Sequence, residues 1–259
     1  MSARGRRAGE NVRALVPLLL IALFLLAALP AMAGCAPAVP MMAGGRTTPR
    51  DRVDLALGGA ARVPLGDLAP PADAPPELRE PLAAGASSGV APLLLGRVGL
   101  DDAWDLSVLV VGTTLRAELR WDAPLSSIAH LVIGAAPYGG YVDGEARQGA
   151  SPARVGRVGG VIPVALTLDV SGIYEAWVGA RVGAEHVAGD VELAPMRTSL
   201  ALTTVRAGLV VGLAVGFRSV HALVELAADY EHHHGTLGDT RFERQGIVLT
   251  PAFALRFRL

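Results

Sequence analysis

The sequence predicts an all-β fold, a single antiparallel up-and-down transmembrane β-barrel of about ten strands, and three observations predict it. The first is a period of two in the C-terminal stretch 246–259, where Ile247, Leu249, Phe253, Leu255, Phe257 and Leu259 alternate with Thr250, Ala252, Ala254, Arg256 and Arg258. One face of such a strand suits hydrocarbon and the other, with two arginines, suits water. The second is composition. Of the 259 residues, 51% are hydrophobic and 18% charged, and the 31 glycines and 18 prolines favour many short strands and turns over long helices. Beyond the N-terminus no run of about 18 apolar residues could form a spanning helix, so the apolar content is dispersed. The third is that connections alternate between short and long, as they do when strands turn tightly on one side of a bilayer and loop out on the other.

The N-terminus has a basic region (Arg4, Arg6, Arg7, Arg13), an apolar core over 14–29 and small residues at Ala31-Met32-Ala33-Gly34-Cys35. Residues 1–34 therefore read as an export signal peptide. Two cleavage readings stand. Met32-Ala33-Gly34-Cys35 resembles the bacterial lipobox, with Met32 where leucine is usual. That resemblance implies that Cys35, the only cysteine, becomes a lipidated first residue carrying palmitate-type chains, and Ala36 in place of aspartate implies transfer to the outer membrane. Ala31-Met32-Ala33 also fits an ordinary A-x-A site. A single cysteine makes no internal disulfide. Residues 35–50, rich in Pro, Gly and Thr without periodicity, read as a flexible tether, and 51–259 as the barrel.

The first strand begins near Asp51, with Val53, Leu55, Leu57, Ala61 and Val63 opposite Asp54, Ala56, Gly58 and Arg62. Residues 64–89, with Pro70-Pro71 and Pro75-Pro76, read as a long loop. Strands follow at 90–100, 104–112 and 114–121; in the last, Leu115, Ala117, Leu119 and Trp121 oppose Arg116, Glu118 and Arg120. Three charges on one face suit a polar lumen. Further strands are expected at 128–141, 154–169, 173–187, 203–218, 220–231 and 246–259, each able to supply the ~9–11 residues of a tilted crossing. Eight strands are the alternative if Gly112-Thr113 is not a true hairpin. Counted back from a periplasmic C-terminus, the connections at 232–245, 188–197, 143–152 and 64–89 are long and external. Those at 219, 171–172, 122–127 and 101–103 are short and periplasmic. Trp104, Trp121, Tyr174, Phe217 and Phe257 then lie toward the periplasmic ends, and Tyr138, Tyr141 and Tyr230 toward the outer ends, as two interfacial girdles.

The faces opposite the apolar ones carry the candidate lumen-lining residues, among them Arg97, Arg116, Glu118, Arg120, Arg181, Glu185, Arg206, Glu225, Asp229 and Arg256. The signs nearly balance. In a ten-strand barrel, just above the size that side chains fill, balanced charges should pair across the interior, so a mostly plugged barrel is expected over an open pore. A selective pore should show an excess of one sign. The formal net charge of −1 offers no field for nucleic acid. Glu231-His232-His233-His234 is a candidate metal ligand run, but successive side chains on an extended chain point to opposite sides, so a solvated loop apex is the expectation. His130, His186 and His221 are available bases, yet no serine stands in a G-x-S-x-G context. Gly208, Gly212 and Gly216 are expected to let inward side chains pack or to ease barrel curvature.

The segment Leu95-Gly96-Arg97-Val98-Gly99-Leu100-Asp101-Asp102-Ala103-Trp104-Asp105-Leu106, with Leu115-Arg116-Ala117-Glu118-Leu119-Arg120-Trp121 and the aligned Cys35, resembles porin-like outer-membrane barrel lipoproteins of proteobacteria. Arg120 stands where that pattern has lysine. The resemblance implies no catalytic residues. The expectation is a lipid-anchored outer-membrane barrel with a structural or small-solute passage role, its tether and C-terminus facing the periplasm. It needs no metal or cofactor and is not an enzyme. Its partners are outer-membrane lipid, the barrel-assembly machinery and a small solute. The alternative is a soluble, periplasm-facing lipoprotein barrel that binds a small apolar ligand.

Overall fold

The computed structural model describes residues 39–42, 44, 46–69, 74–85, 88–145, 152–193, 196–217 and 219–259. The signal segment, Cys35 and Arg218 lie outside the described residues. The strands are β1 Val53–Pro64, β2 Gly89–Gly99, β3 Trp104–Val111, β4 Thr114–Pro124, β5 Ala129–Glu145, β6 Pro152–Val170, β7 Tyr174–Leu193, β8 Met196–Phe217, β9 Val220–Leu237 and β10 Thr240–Arg258. Each pairs antiparallel with its neighbours in sequence, and β1 pairs with β10, so the sheet closes into a ten-strand barrel. The closing seam runs from Asp54↔Arg258 through Leu57↔Leu255 to Pro64↔Val248. Gly112-Thr113 is a true hairpin turn, with Val111 paired to Thr114, so the eight-strand alternative does not hold.

Closure leaves no edge to aggregate and gives each strand an inner and an outer side. The period of two then sorts the side chains. On β8, Leu209, Val211, Leu213 and Phe217 are exposed on the outer wall, while Arg206, Val210 and Ala214 are buried inside. The barrel is not level. Strands β5 to β10 have 17 to 22 residues, and β1 to β4 have 8 to 12. At a tilt near 45° each residue rises about 2.3 Å along the axis, so β8 stands about 50 Å and β3 about 19 Å. We call the rim that carries Val53 and Leu259 the lower rim.

Several expectations are corrected. The stretches 188–197 and 232–245 are not loops. β7 and β8 stay paired to Leu193↔Met196, and β9 and β10 to Leu237↔Thr240, where Gly238 turns at φ 56°. Polar side chains there mark the end of the apolar band; the ladder itself continues because main-chain pairing does not depend on polarity. The upper connections are therefore short, except 65–88 and the stretch 146–151 outside the described residues. The short lower turn at Ser171-Gly172 has positive φ at both residues (56° and 65°), as a type I′ hairpin requires.

The stretch 64–89, expected as loop, contains a helix, α1, over Pro76–Gly85. Proline at its first position needs no amide partner there, and Leu78 and Leu82 share one face at i, i+4 spacing. Leu82, Ala83 and Ala84 are buried, and α1 packs inside the barrel against β7, β8, β9 and β10. Tyr138 is another correction: it is 4% exposed and faces inward, whereas Tyr141 and Tyr230 are outside.

The tether reading of 35–50 is corrected for its described part. From the bridge of Arg50 to Gly99 at the lower rim, the chain runs back up into the lumen, so that Thr48, Thr47, Met42, Met41 and Val39 are all buried. Low polarity and proline content resemble a linker, but the same small residues are what a narrow lumen admits. Gly99 permits the crossing: a Cβ there would lie 2.0 Å from the Pro49 carbonyl oxygen.

Candidate functional site

The site is the lumen, and its contents are the chain's own. The described residues of 39–50 form a strap held through its main chain by side chains projecting from five strands, β2, β3, β4, β7 and β9. Near the lower rim, Asp105 accepts hydrogen bonds from Arg120 Nε (2.9 Å), Arg120 Nη2 (2.5 Å) and the Thr48 amide (2.8 Å). Arg97 Nε stands 3.7 Å from the same carboxylate. Asp122 accepts from the Thr47 amide at 3.1 Å and pairs with His130 Nδ1 at 2.9 Å, while Thr48 Oγ1 donates to Asp54. Glu175 receives Arg256 Nη2 at 2.6 Å and also binds Arg258. Two clefts, of about 390 and 250 Å³, flank the strap at this mouth and share Arg46, Thr47 and Pro49 as lining.

Higher up, arginines grip the strap's carbonyl oxygens: Arg116 donates to Pro40 O (2.5 Å) and Met41 O (3.1 Å), Arg97 to Met42 O (2.9 Å) and Arg181 to Val39 O (2.7 Å). Each arginine has a carboxylate nearby. Arg116 binds Glu118 at 2.7 Å, and Arg181 forms a two-point pair with Asp229. Glu225 takes the Met41 amide at 2.5 Å on one oxygen and the Trp177 indole at 3.1 Å on the other. Met41 and Met42 fill the remaining space against Leu93, Leu95, Leu109, Trp177 and Val210. Charged groups that bind both each other and peptide dipoles recover much of the cost of their burial, although Arg116 Nε makes no hydrogen bond among the described residues.

Above this lies a third layer. Arg62 pairs with Glu231, which also contacts His233 Nε2 at 2.9 Å; His233 Nδ1 meets Thr204 Oγ1 at 2.8 Å. Arg206 sits 3.7 Å from Glu231 and 3.6 Å from Glu185, and its guanidinium carbon lies 6.0 Å from the Tyr138 ring centre. The layer meets the end of α1, where Arg62 Nη1 donates to Gly85 O (3.0 Å) and Arg157 Nη2 to Ala84 O (2.9 Å). Beyond it the lumen is lined by apolar side chains, with α1 and Leu68 packed on Val155, Val187, Leu200, Leu202, Phe242 and Val248; α1 also brings in the buried Glu80, bonded to Arg79 at 3.0 Å.

The ten lumen candidates, Arg97, Arg116, Glu118, Arg120, Arg181, Glu185, Arg206, Glu225, Asp229 and Arg256, are all 5% exposed or less, and all lie inside. Seven of them meet the strap, a close strap neighbour or a carboxylate that binds it; Glu185 and Arg206 belong to the upper layer, and Arg256 to Glu175. Sequence reasoning expected Gly212 to admit an inward side chain but missed the one it admits, Trp177, which shares the inward face of Glu175 by parity. Gly212 opposes it across the ladder, and a Cβ there would lie 2.1 Å from the indole. Gly208 and Gly216 likewise lie under Asp229 and His221. Of the histidine run, His233 points inward and is fully buried, while the rings of His232 and His234 stack loosely at 5.7 Å.

Neither a protein-family model nor a curated protein matches the chain. Solved structures resemble it. They include the outer membrane protease OmpT from Escherichia coli (8% identity, 81% of this chain and 97% of that one, TM-score 0.44). Neisserial surface protein A is similar at 12% identity over 80% and 95% of the two chains (TM-score 0.29). Ail of Yersinia pestis is similar at 13% identity over 81% and 99% (TM-score 0.25). The fold of this chain rests on its own strand pairing, and with these the chain shares the look of a barrel.

Proposed function

We propose that this protein is a β-barrel of the bacterial outer membrane with a structural role, held shut by its own chain, its lower rim facing the periplasm. The observation that carries the reading is the polarity of the wall. Outside, Val205 to Phe217 on β8 make an uninterrupted apolar face about 28 Å tall, close to the ~25 Å band of such barrels. Trp104, Trp121, Tyr174, Phe217 and Phe257 ring the lower end of that band, all at least one-third exposed. Inside, the charged residues are buried. The soluble alternative needs Leu209 and Phe217 inside and Arg206 outside; Leu209 is 66% exposed, Phe217 67% and Arg206 5%. An apolar surface of that extent has no place in water.

The strap below and α1 above favour a structural role over small-solute passage, because both ends of the lumen are filled.

The test is quenching by lipids brominated along their chains. In single-tryptophan variants Trp104 and Trp121 should be quenched and Trp177 should not. Equal quenching of all three, or extraction of the folded protein by carbonate, would remove the membrane reading. Planar bilayers loaded with the protein should stay silent, and the mass of the mature N-terminus decides the fate of Cys35.

A further inference from the structure

The upper lumen has features that a plug alone does not require. The layer of Arg62, Arg157 and Arg206 faces two carboxylates, Glu185 and Glu231, which leaves one positive charge in excess. The Nε atoms of Arg62, Arg157 and Arg206 make no hydrogen bond among the described residues, and Arg157 Nη1 and Arg206 Nη2 reach Glu185 Oε1 only as long ion pairs of 3.7 and 3.6 Å. These four side chains belong to residues 6% exposed or less. Buried donors of this kind are costly, so they point to a group that uses them. What two of these arginines hold now is the end of α1, through Ala84 O and Gly85 O. The carbonyl end of a helix carries only a partial negative charge.

Above the layer stands an apolar sleeve formed by Val155, Val187, Leu200, Leu202 and Phe242. From Arg206 to Leu200 it is six residues along β8, about 14 Å deep. Its walls are β6 to β10, which rise above the shorter β2 to β4. Positive charge with spare donors at the floor and an apolar sleeve above it match an acyl chain ending in an anion. The occupant, α1, is intrinsically weak: it has ten residues with Pro81 in its interior, which removes an internal hydrogen bond and costs about 3 kcal/mol.

We propose that the upper lumen is a binding site for a medium-chain fatty carboxylate, and that α1 occupies it with its carbonyl end in the place of the carboxylate. The inference rests on the closed barrel and its interior, and not on which membrane surrounds it.

The probe is laurate labelled at its carboxyl carbon, titrated by NMR into the full chain folded in a zwitterionic detergent. In wild type, α1 competes and binding is weak. Leu82→Asp, which spoils the apolar seat of α1, should tighten laurate binding by about tenfold or more, because the competent fraction rises. Arg157→Gln added to it should weaken binding by about tenfold or more. Heat-modifiable gel mobility certifies that each variant is folded. Should Leu82→Asp fail to fold, Gly85→Val takes its place, since a Cβ at Gly85 lies 2.2 Å from Leu202 Cδ2 and drives the helix end off its seat. Three results overturn the proposal: no tightening in the folded variant, lauryl alcohol binding as tightly as laurate, or dodecyl phosphate binding where laurate does not. The last would assign the site to a lipid phosphate.

Discussion

Replacing Asp105 by alanine tests whether the lumen is dry and paired. Asp105 is fully buried and accepts two hydrogen bonds from Arg120 and one from the Thr48 amide, with Arg97 3.7 Å away. Its removal leaves two guanidinium groups and a peptide N–H facing a void. Breaking a buried pair by deleting one partner costs about 3–5 kcal/mol, far more than the pair contributes net, because the surviving charge stays desolvated. We expect about 4 kcal/mol, roughly three powers of ten in the folding equilibrium. Asparagine at the same position keeps an acceptor and the shape, and should fall between alanine and wild type. The reference is Arg197→Ala, which breaks a pair with Glu192 whose side chains are 56% and 48% exposed; it should change stability by less than about 1 kcal/mol. The assay is urea unfolding in lipid vesicles, followed by loss of the heat-modifiable band. If Asp105→Ala costs no more than Arg197→Ala, water screens the lumen charges and the reasoning fails.

Gly212→Ala should destabilise by about 1–3 kcal/mol through overpacking of Trp177, and a background with Trp104 and Trp121 replaced by phenylalanine should report it as a shifted indole emission; an unchanged midpoint would refute the seat. Cysteines at positions 57 and 255 should form a disulfide on mild oxidation, since Leu57 and Leu255 face each other on β1 and β10 at the separation that directly opposed residues share. Failure to cross-link in the folded protein would mean that the barrel is not closed there. Deleting 39–50 should lower the unfolding midpoint, because Glu225, Asp105, Asp122 and four arginines lose main-chain partners, yet leave bilayers silent while α1 remains. Deleting α1 as well should open a conductance. A conducting single deletion would show that α1 does not close the upper lumen.

How much of this was legible in the sequence follows from which forces are local. The alternation in β8 and β10 is a property of neighbouring residues and a two-residue pleat, so ten strands, their inward charges and the pairing of first with last could be read directly. The turn at Ser171-Gly172 was legible for the same reason. Strand ends were not. His232 to Leu237 and Thr240 to Gln245 are polar, and hydropathy sees where a strand leaves hydrocarbon, not where its hydrogen-bonded ladder stops. Tyr138 was assigned by position along the chain; its parity on β5 already placed it with His130 and Val132.

The sequence by itself determined the wall: an all-β chain, one side for lipid, one side for charge, closed on itself. Only the tertiary structure decided what fills it. Nothing in the pattern of 39–50 distinguishes a free linker from a strap, and in 76–85 the pair Leu78 and Leu82 is too short an apolar stripe, between prolines, to name a partner. What holds the strap is the main chain, whose carbonyls and amides are identical at every residue, and the arginines and carboxylates that bind it come from strands far apart in sequence. The seat appears only when barrel closure brings Arg97, Arg116, Arg181, Asp105 and Glu225 around one axis, where buried charges need the partners that the strap's carbonyls and amides supply.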